Sequence, residues 1–163
     1  MKVRIQVVKK FLDANGNNVY FSTDDHPFSS CPDHVLVIVH SNLGWVFTNH
    51  KVRGLEFPGG KREEGETIEQ AAIREVWEET GAQIQELIYI GQYQVGSGST
   101  SFVKNVYFSH TVAFDKKADY METNGAVIME QLPESFTEDK YSYIMRDQVV
   151  LLSLAQVKKL QLI

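Results

Sequence analysis

Three glutamates, Glu75, Glu78 and Glu79, fall within five residues, directly after Arg74 and downstream of Glu64 and Glu66. On a helix, at about 100° per residue, Glu78 lies about −60° and Glu79 about +40° from Glu75. All three then share one face, bordered by Arg74 one turn before Glu78. Two carboxylates about 6 Å apart repel by about 3 kcal/mol at an effective dielectric near 20. Such a face needs solvent, Arg74 or a hard divalent cation to offset the repulsion. Oxygen ligands without Cys or His fit Mg²⁺ or Mn²⁺ rather than zinc, and Mg²⁺ is usually shared with substrate phosphates. A solvated acidic face laced with salt bridges has the same composition, and the acids alone do not separate the two.

The approach to this segment shifts the balance. Leu55-Glu56-Phe57-Pro58-Gly59-Gly60-Lys61 ends in adjacent glycines, which let backbone come close to a ligand, and in a lysine able to act as a point charge for phosphate. Pro-Gly-Gly alone signals a turn. Joined to an acidic helix, it becomes a phosphate-and-metal site.

These groups need elements to hold them. Thr67 and Gln70 have the spacing of a capping box, and Gly81 suits the left-handed turn that ends a helix. Between them Ile68, Ala72, Ile73, Val76 and Trp77 recur at helical spacing. Strands are expected at residues 3–8 and 19–21, across the Asn15-Gly16 turn, then at 35–39 and 45–47. Further strands are expected at 87–93, 103–112 and 126–129, with a loop at 96–100, and helical spacing returns over 141–159. The sum is a mixed sheet with few helices, an α+β or three-layer arrangement. With 163 residues and no repeat or linker, residues 1–163 read as one domain.

Net charge is −5, which argues against a broad nucleic-acid-binding surface, since that needs clustered Lys and Arg. A nucleotide remains open because a metal can carry its charge locally. Cys31 is the only cysteine, so no internal disulfide is expected; without a signal peptide or apolar span the expected compartment is the cytoplasm. The histidines at 26, 34, 40, 50 and 110 lack a compact zinc-ligand pattern.

The pattern Gly60, five residues, Glu66, seven residues, Arg74-Glu75-Val76, one residue, Glu78-Glu79, one residue, Gly81 resembles the Nudix box. Ala82 is smaller than the usual branched aliphatic. Residues 55–61 and Gly65-Glu66-Thr67 resemble the MutT branch. Several other stretches are similar to a bacillar group of nucleoside triphosphatases and antimutator 8-oxo-dGTP diphosphatases. They are His50 with Arg53-Gly54, Gly91-Gln92-Tyr93, Val103-Lys104-Asn105, Ala118-Asp119-Tyr120 and Leu132-Pro133-Glu134. The resemblance implies an α/β/α sandwich with the box helix against a mixed sheet. It also implies Mg²⁺ or Mn²⁺ on Glu78 and Glu79, helped by the Gly59 carbonyl, with Glu75 a ligand or the general base. Arg74 would orient the carboxylates, Glu66 would tie the loop to the helix, and Gly60 and Gly81 would be structural. Lys61 is carried over as a phosphate contact. A further acid from a later loop is expected at Glu122, with Glu130 second. His50 or Arg53 stands where MutT enzymes place a phosphate-binding arginine. Phe57 is expected near the base, or in the core. The asparagine that reads the purine has no counterpart around residues 137–142, leaving Tyr141, Ser142 and Tyr143 as candidates.

The reading that follows is a metal-dependent pyrophosphohydrolase acting on nucleoside triphosphates, 8-oxo-dGTP first, in mutation avoidance and DNA repair. No membrane or stable nucleic-acid complex is expected as partner. Removal of pyrophosphate from RNA 5′ ends would use the same chemistry, and a basic groove leading from the box would favour it. A Nudix-fold ligand-binding module is a third reading, against which the intact Glu75, Glu78 and Glu79 speak.

Overall fold

The computed structural model describes residues 6–163. The expected strand over residues 3–8 lies partly outside the described residues; its described end, Gln6 to Val8, has no regular structure, and the first strand is β1, Lys9–Leu12. There follow β2 (Asn18–Ser22), β3 (His34–Ser41), β4 (Gly44–His50), β5 (Gly54–Glu56), β6 (Gly59–Lys61) and helix α1 (Ile68–Thr80). The second half comprises β7 (Ala82–Ile84), β8 (Ile88–Val95), β9 (Phe102–Phe114), β10 (Thr123–Met129), α2 (Tyr143–Arg146) and α3 (Gln148–Lys159). The expected 96–100 loop contains one 3₁₀ turn at Gly98–Thr100.

The strands join in the order β1-β2-β8-β9-β3-β4-β10, with β5 on β4, β6 on β3 and β7 on β9. β3 and β9 are parallel and the other pairs antiparallel, so the sheet is mixed. Its two faces are both covered. Val35, Val37 and Val39 pack with Ile68, Ala71, Ala72 and Val76 of α1. Leu36 and Ile38, of opposite parity, pack with Val106, Phe108, Phe47 and the α3 residues Val149, Val150 and Val157. Period-two alternation in a strand buried on both sides produces this division. The result is an α+β sandwich of α/β/α layers.

Two expectations change in detail. Ile73 and Trp77 are each 39% exposed, while Ala71 takes part in the buried stripe. One residue on from Ala72 and Val76, they turn about 100° away from that stripe. Trp77 finds surface partners instead: its indole N–H donates to Asp115 at 2.8 Å, and the Lys117 ammonium lies 4.0 Å from its ring. The helical run over 141–159 is broken at Asp147, which is extended and whose Oδ1 accepts from the Val149 N–H, capping α3. Tyr141 and Ser142 precede α2 and are buried.

Candidate active site

Helix α1 is fixed at both ends. Thr67 Oγ1 accepts from the Gln70 N–H while Gln70 Oε1 accepts from the Thr67 N–H, closing the capping box. At the other end Gly81 takes φ 73, and a Cβ there would stand 2.3 Å from the Asp115 carbonyl oxygen. The last turn carries no basic residue of its own. Lys117 Nζ supplies the missing cation, donating to the carbonyls of Trp77 (3.2 Å) and Glu78 (2.7 Å). The Glu79 carbonyl accepts from the hydroxyls of Thr48 and Thr123 at 3.0 and 2.9 Å, docking the helix end on β4 and β10.

Arg74 is the hub of the acidic face. Its guanidinium donates to both Glu66 carboxylate oxygens, to Glu75 Oε1 (2.9 Å), to Glu78 Oε2 (3.3 Å) and to the Lys61 carbonyl (3.0 Å). Glu66 also accepts from the Glu63 N–H at 2.9 Å, so one carboxylate ties the loop to the helix. The hydrogen bond from Arg74 holds the Glu66 carboxyl below the usual carboxylate range.

Glu75 and Glu79 are perturbed in the opposite sense. Burial pushes the Glu79 carboxyl up to about 9; the Gly59 N–H that it accepts at 3.2 Å opposes this, and the neighbouring Glu75 adds to it. Burial also raises Glu75, against Arg74. The two neighbouring acids repel each other's charge, so burial and proximity together favour the protonated form of Glu79 at neutral pH. Gly60 leaves room for the Glu75 carboxylate: a Cβ there would lie 2.3 Å from Glu75 Oε1. A Cβ on Gly59 would meet the Val35 carbonyl oxygen at 2.3 Å, because β6 lies against β3.

Two connected depressions meet here. An acidic notch of 220 Å³ is lined by Glu63, Arg74, Glu75, Glu78, Glu79 and Glu122, among others. A larger cleft of 520 Å³ shares Glu63, Glu75 and Glu122 with it. That cleft runs past Gly59, Gly60 and Lys61 to Arg53, Lys104 and Tyr143. The notch carboxylates offer oxygen donors, and a cation there would relieve the crowding of Glu75 and the buried Glu79. That donor set fits Mg²⁺ or Mn²⁺. Among the described residues no three His, Cys, Asp or Glu side chains close on one point as a finished cage.

The remaining candidates separate. Lys61 and Arg53 line the cleft, but Arg53 is held by Glu56 through a fork of 2.7 and 3.1 Å. Glu122 is 84% exposed and lines both depressions, 3.8 Å from His50 Nε2. Glu130 lies beside Gly44, at the far end of β4 from His50. His50 is buried, and its Nδ1 accepts from the N–H groups of Val52 and Arg53, so it caps the β4–β5 turn. Phe57 borders the cleft but is 1% exposed and stacks on Phe47 with ring centroids 4.4 Å apart. Of the tyrosine and serine candidates, Tyr141 is core, Ser142 caps α2 and Tyr143 reaches the cleft.

Sequence reasoning missed Glu56, His34, Phe102 and Lys104 as cleft residues. A signal existed for Lys104: it shares strand parity with the buried Val106 and Phe108, an inward position where a lysine is out of place.

The model of the NUDIX domain matches residues 27–149. A Bacillus subtilis (strain 168) protein named "Putative 8-oxo-dGTP diphosphatase YtkD" is 46% identical over 151 residues, 92% of this chain and 96% of the relative. The crystal structure of a mutant of the Bacillus subtilis pyrophosphohydrolase BsRppH superposes with a TM-score of 0.89 at 45% identity, covering 93% of this chain and 96% of that one. A NUDIX hydrolase from Nitrosomonas europaea shares the fold at 22% identity and TM-score 0.61, over 80% and 90% of the two chains.

Proposed function

Because the chain belongs to the NUDIX family, we propose that it is a Mg²⁺- or Mn²⁺-dependent pyrophosphohydrolase that converts a purine (deoxy)nucleoside triphosphate, 8-oxo-dGTP first, into the monophosphate and pyrophosphate. The observation that carries this reading is the junction of the acidic notch with a cleft walled at its near side by Lys61 and Arg53. Carboxylates for a cation and cations for a polyphosphate stand side by side. The name of the 46%-identical B. subtilis relative supports the substrate class.

Glu75, Glu78 and Glu79 would hold the cation, with Gly59 alongside and Glu122 reaching in from its loop. When bound, it supplies charge neutralisation on the phosphate oxygens. Hydrolysis adds a water oxygen to one phosphorus, breaks the anhydride bond and leaves pyrophosphate. The water proton must pass to a carboxylate. Glu75 suits that role because it faces both depressions, whereas Glu78 and Glu79 line the notch. Arg74 fixes Glu75 and Glu78 through charge-assisted hydrogen bonds and does not reach the substrate.

Pyrophosphate release from 8-oxo-dGTP, dGTP, dATP and a triphosphorylated RNA, with and without Mg²⁺, tests this. Metal-dependent release from the free nucleotides, lost by orders of magnitude in Glu78→Gln, is the expected result; metal-independent turnover, or none, rejects it. RNA 5′ ends are the second reading, favoured by the 45%-identical neighbour whose name specifies pyrophosphate removal and no nucleotide. Faster release from the RNA would select it.

A further inference from the structure

The far end of the cleft is built differently from the acidic notch. Lys61, His34, Lys104 and Tyr93 are direct partners across β6, β3, β9 and β8, so their side chains form one row on one face of the sheet. The parity of Leu36 and Val106 places that row on the α3 side, away from α1. His34 lies 4.7 Å from the Phe102 ring, and the Lys104 ammonium is 5.9 Å from the ring centroids of both Phe102 and Tyr93. Burial pushes His34 down to about 4, so at neutral pH it is an uncharged aromatic.

Lys104 is the unusual member. Among the described residues no carboxylate forms an ion pair with it, and its ammonium has no hydrogen-bond acceptor. The nearby acids are committed elsewhere: Glu56 to the Arg53 fork and Asp147 to the α3 cap. Burial lowers the lysine's pKa, opposed by the fields of Glu56 and Asp147. The ammonium lines the cleft, where a ligand can supply the acceptor it lacks among the described residues.

We propose that Lys104 selects the base, donating to the 6-oxo oxygen of a guanine-type purine laid against the His34–Phe102 wall. The proposal rests on the nucleotide reading above. Guanine, 8-oxoguanine and hypoxanthine all present a 6-oxo acceptor, whereas adenine presents a 6-amino donor that would face the ammonium N–H groups. The row therefore favours 6-oxopurines over adenine, and it does so independently of oxidation at C8.

The test compares wild type, Lys104→Met and Lys104→Gln on dGTP, dITP and dATP, with calorimetric binding of dGMP and dAMP alongside. dITP lacks the 2-amino group and isolates the 6-oxo contact. Wild type is expected to prefer dGTP and dITP over dATP by about tenfold or more in kcat/KM. Lys104→Met should remove most of that preference while dATP changes less than about twofold. Lys104→Gln, which keeps an N–H donor, should retain part of it. Equal losses on all three substrates would make Lys104 a phosphate contact or a packing residue and overturn the proposal. So would a wild-type enzyme indifferent to the 6-position, a result that needs no variant to fold. If no triphosphate is hydrolysed, the pyrophosphohydrolase reading fails by itself, and the dGMP-to-dAMP binding ratio still decides the role of Lys104.

Discussion

Replacing Glu79 by Gln should separate the electrostatics of the site from its fold. In the metal-free protein burial holds the Glu79 carboxyl near 9, against 4.5 for an ordinary glutamate. The folded pKa lies above the unfolded one. Below about pH 4.5 both states are protonated and the group does not affect stability. Between that point and about 9 the unfolded chain ionises Glu79 while the native state keeps it neutral, so native stability falls as pH rises. At pH 7 the loss is about 3 kcal/mol, from 2.5 pH units at 1.36 kcal/mol each. Gln mimics the protonated acid: it carries no charge, and its oxygen can still accept from the Gly59 N–H. Urea unfolding of metal-free Glu79→Gln at pH 5 and pH 8 should therefore show a gain over wild type that grows with pH, reaching about 1–3 kcal/mol. Mg²⁺ titrated into wild type at pH 7, in buffers of different ionisation enthalpy, should release about one proton, and its affinity should rise with pH up to about 9. The Gln variant should bind Mg²⁺ weakly without proton release. A wild-type affinity independent of pH, together with a variant no more stable at pH 8 than at pH 5, would refute the protonated Glu79.

Three further changes probe the supports. Gly60→Ala drives a methyl to within 2.3 Å of Glu75 Oε1, so turnover should fall about tenfold or more with little change in melting temperature; unchanged kcat would show that Glu75 can move freely. Arg74→Lys loses the fork that joins Glu66, Glu75 and Glu78, and should cost about 1–3 kcal/mol in denaturant unfolding besides lowering kcat; full stability would mean the ion pairs are replaceable by water. Glu122→Gln should raise the Mg²⁺ concentration needed for half-maximal rate and leave stability unaltered, since the side chain is 84% exposed; an unchanged metal requirement removes it from the site.

The catalytic helix was legible from local signals. Thr67 and Gln70 could only cap a helix that begins at Ile68, Gly81 could only end it, and helical periodicity then puts Glu75, Glu78 and Glu79 on one face wherever the helix lies. The alternating and continuous apolar runs likewise revealed β3, β4, β8, β9 and β10, because burial on one or both faces leaves a period in the sequence. The short strands β5, β6 and β7 left no such trace: three residues hold too little periodicity, and their pairing with β4, β3 and β9 is set by distant partners.

Tertiary structure alone decided what the side chains near the helix do. His50 has the composition of a phosphate ligand, yet its ring accepts the N–H groups of Val52 and Arg53, a consequence of how the β4–β5 turn closes. Phe57 stands next to the glycine loop in sequence but is drawn into the stack on Phe47. Lys104, more than forty residues away from that loop, enters the cleft because β9 pairs in parallel with β3 and brings it beside His34. Caps and periodicity act between near neighbours and are written into the chain, whereas the burial of a charge and the choice of its partner depend on which strands lie side by side.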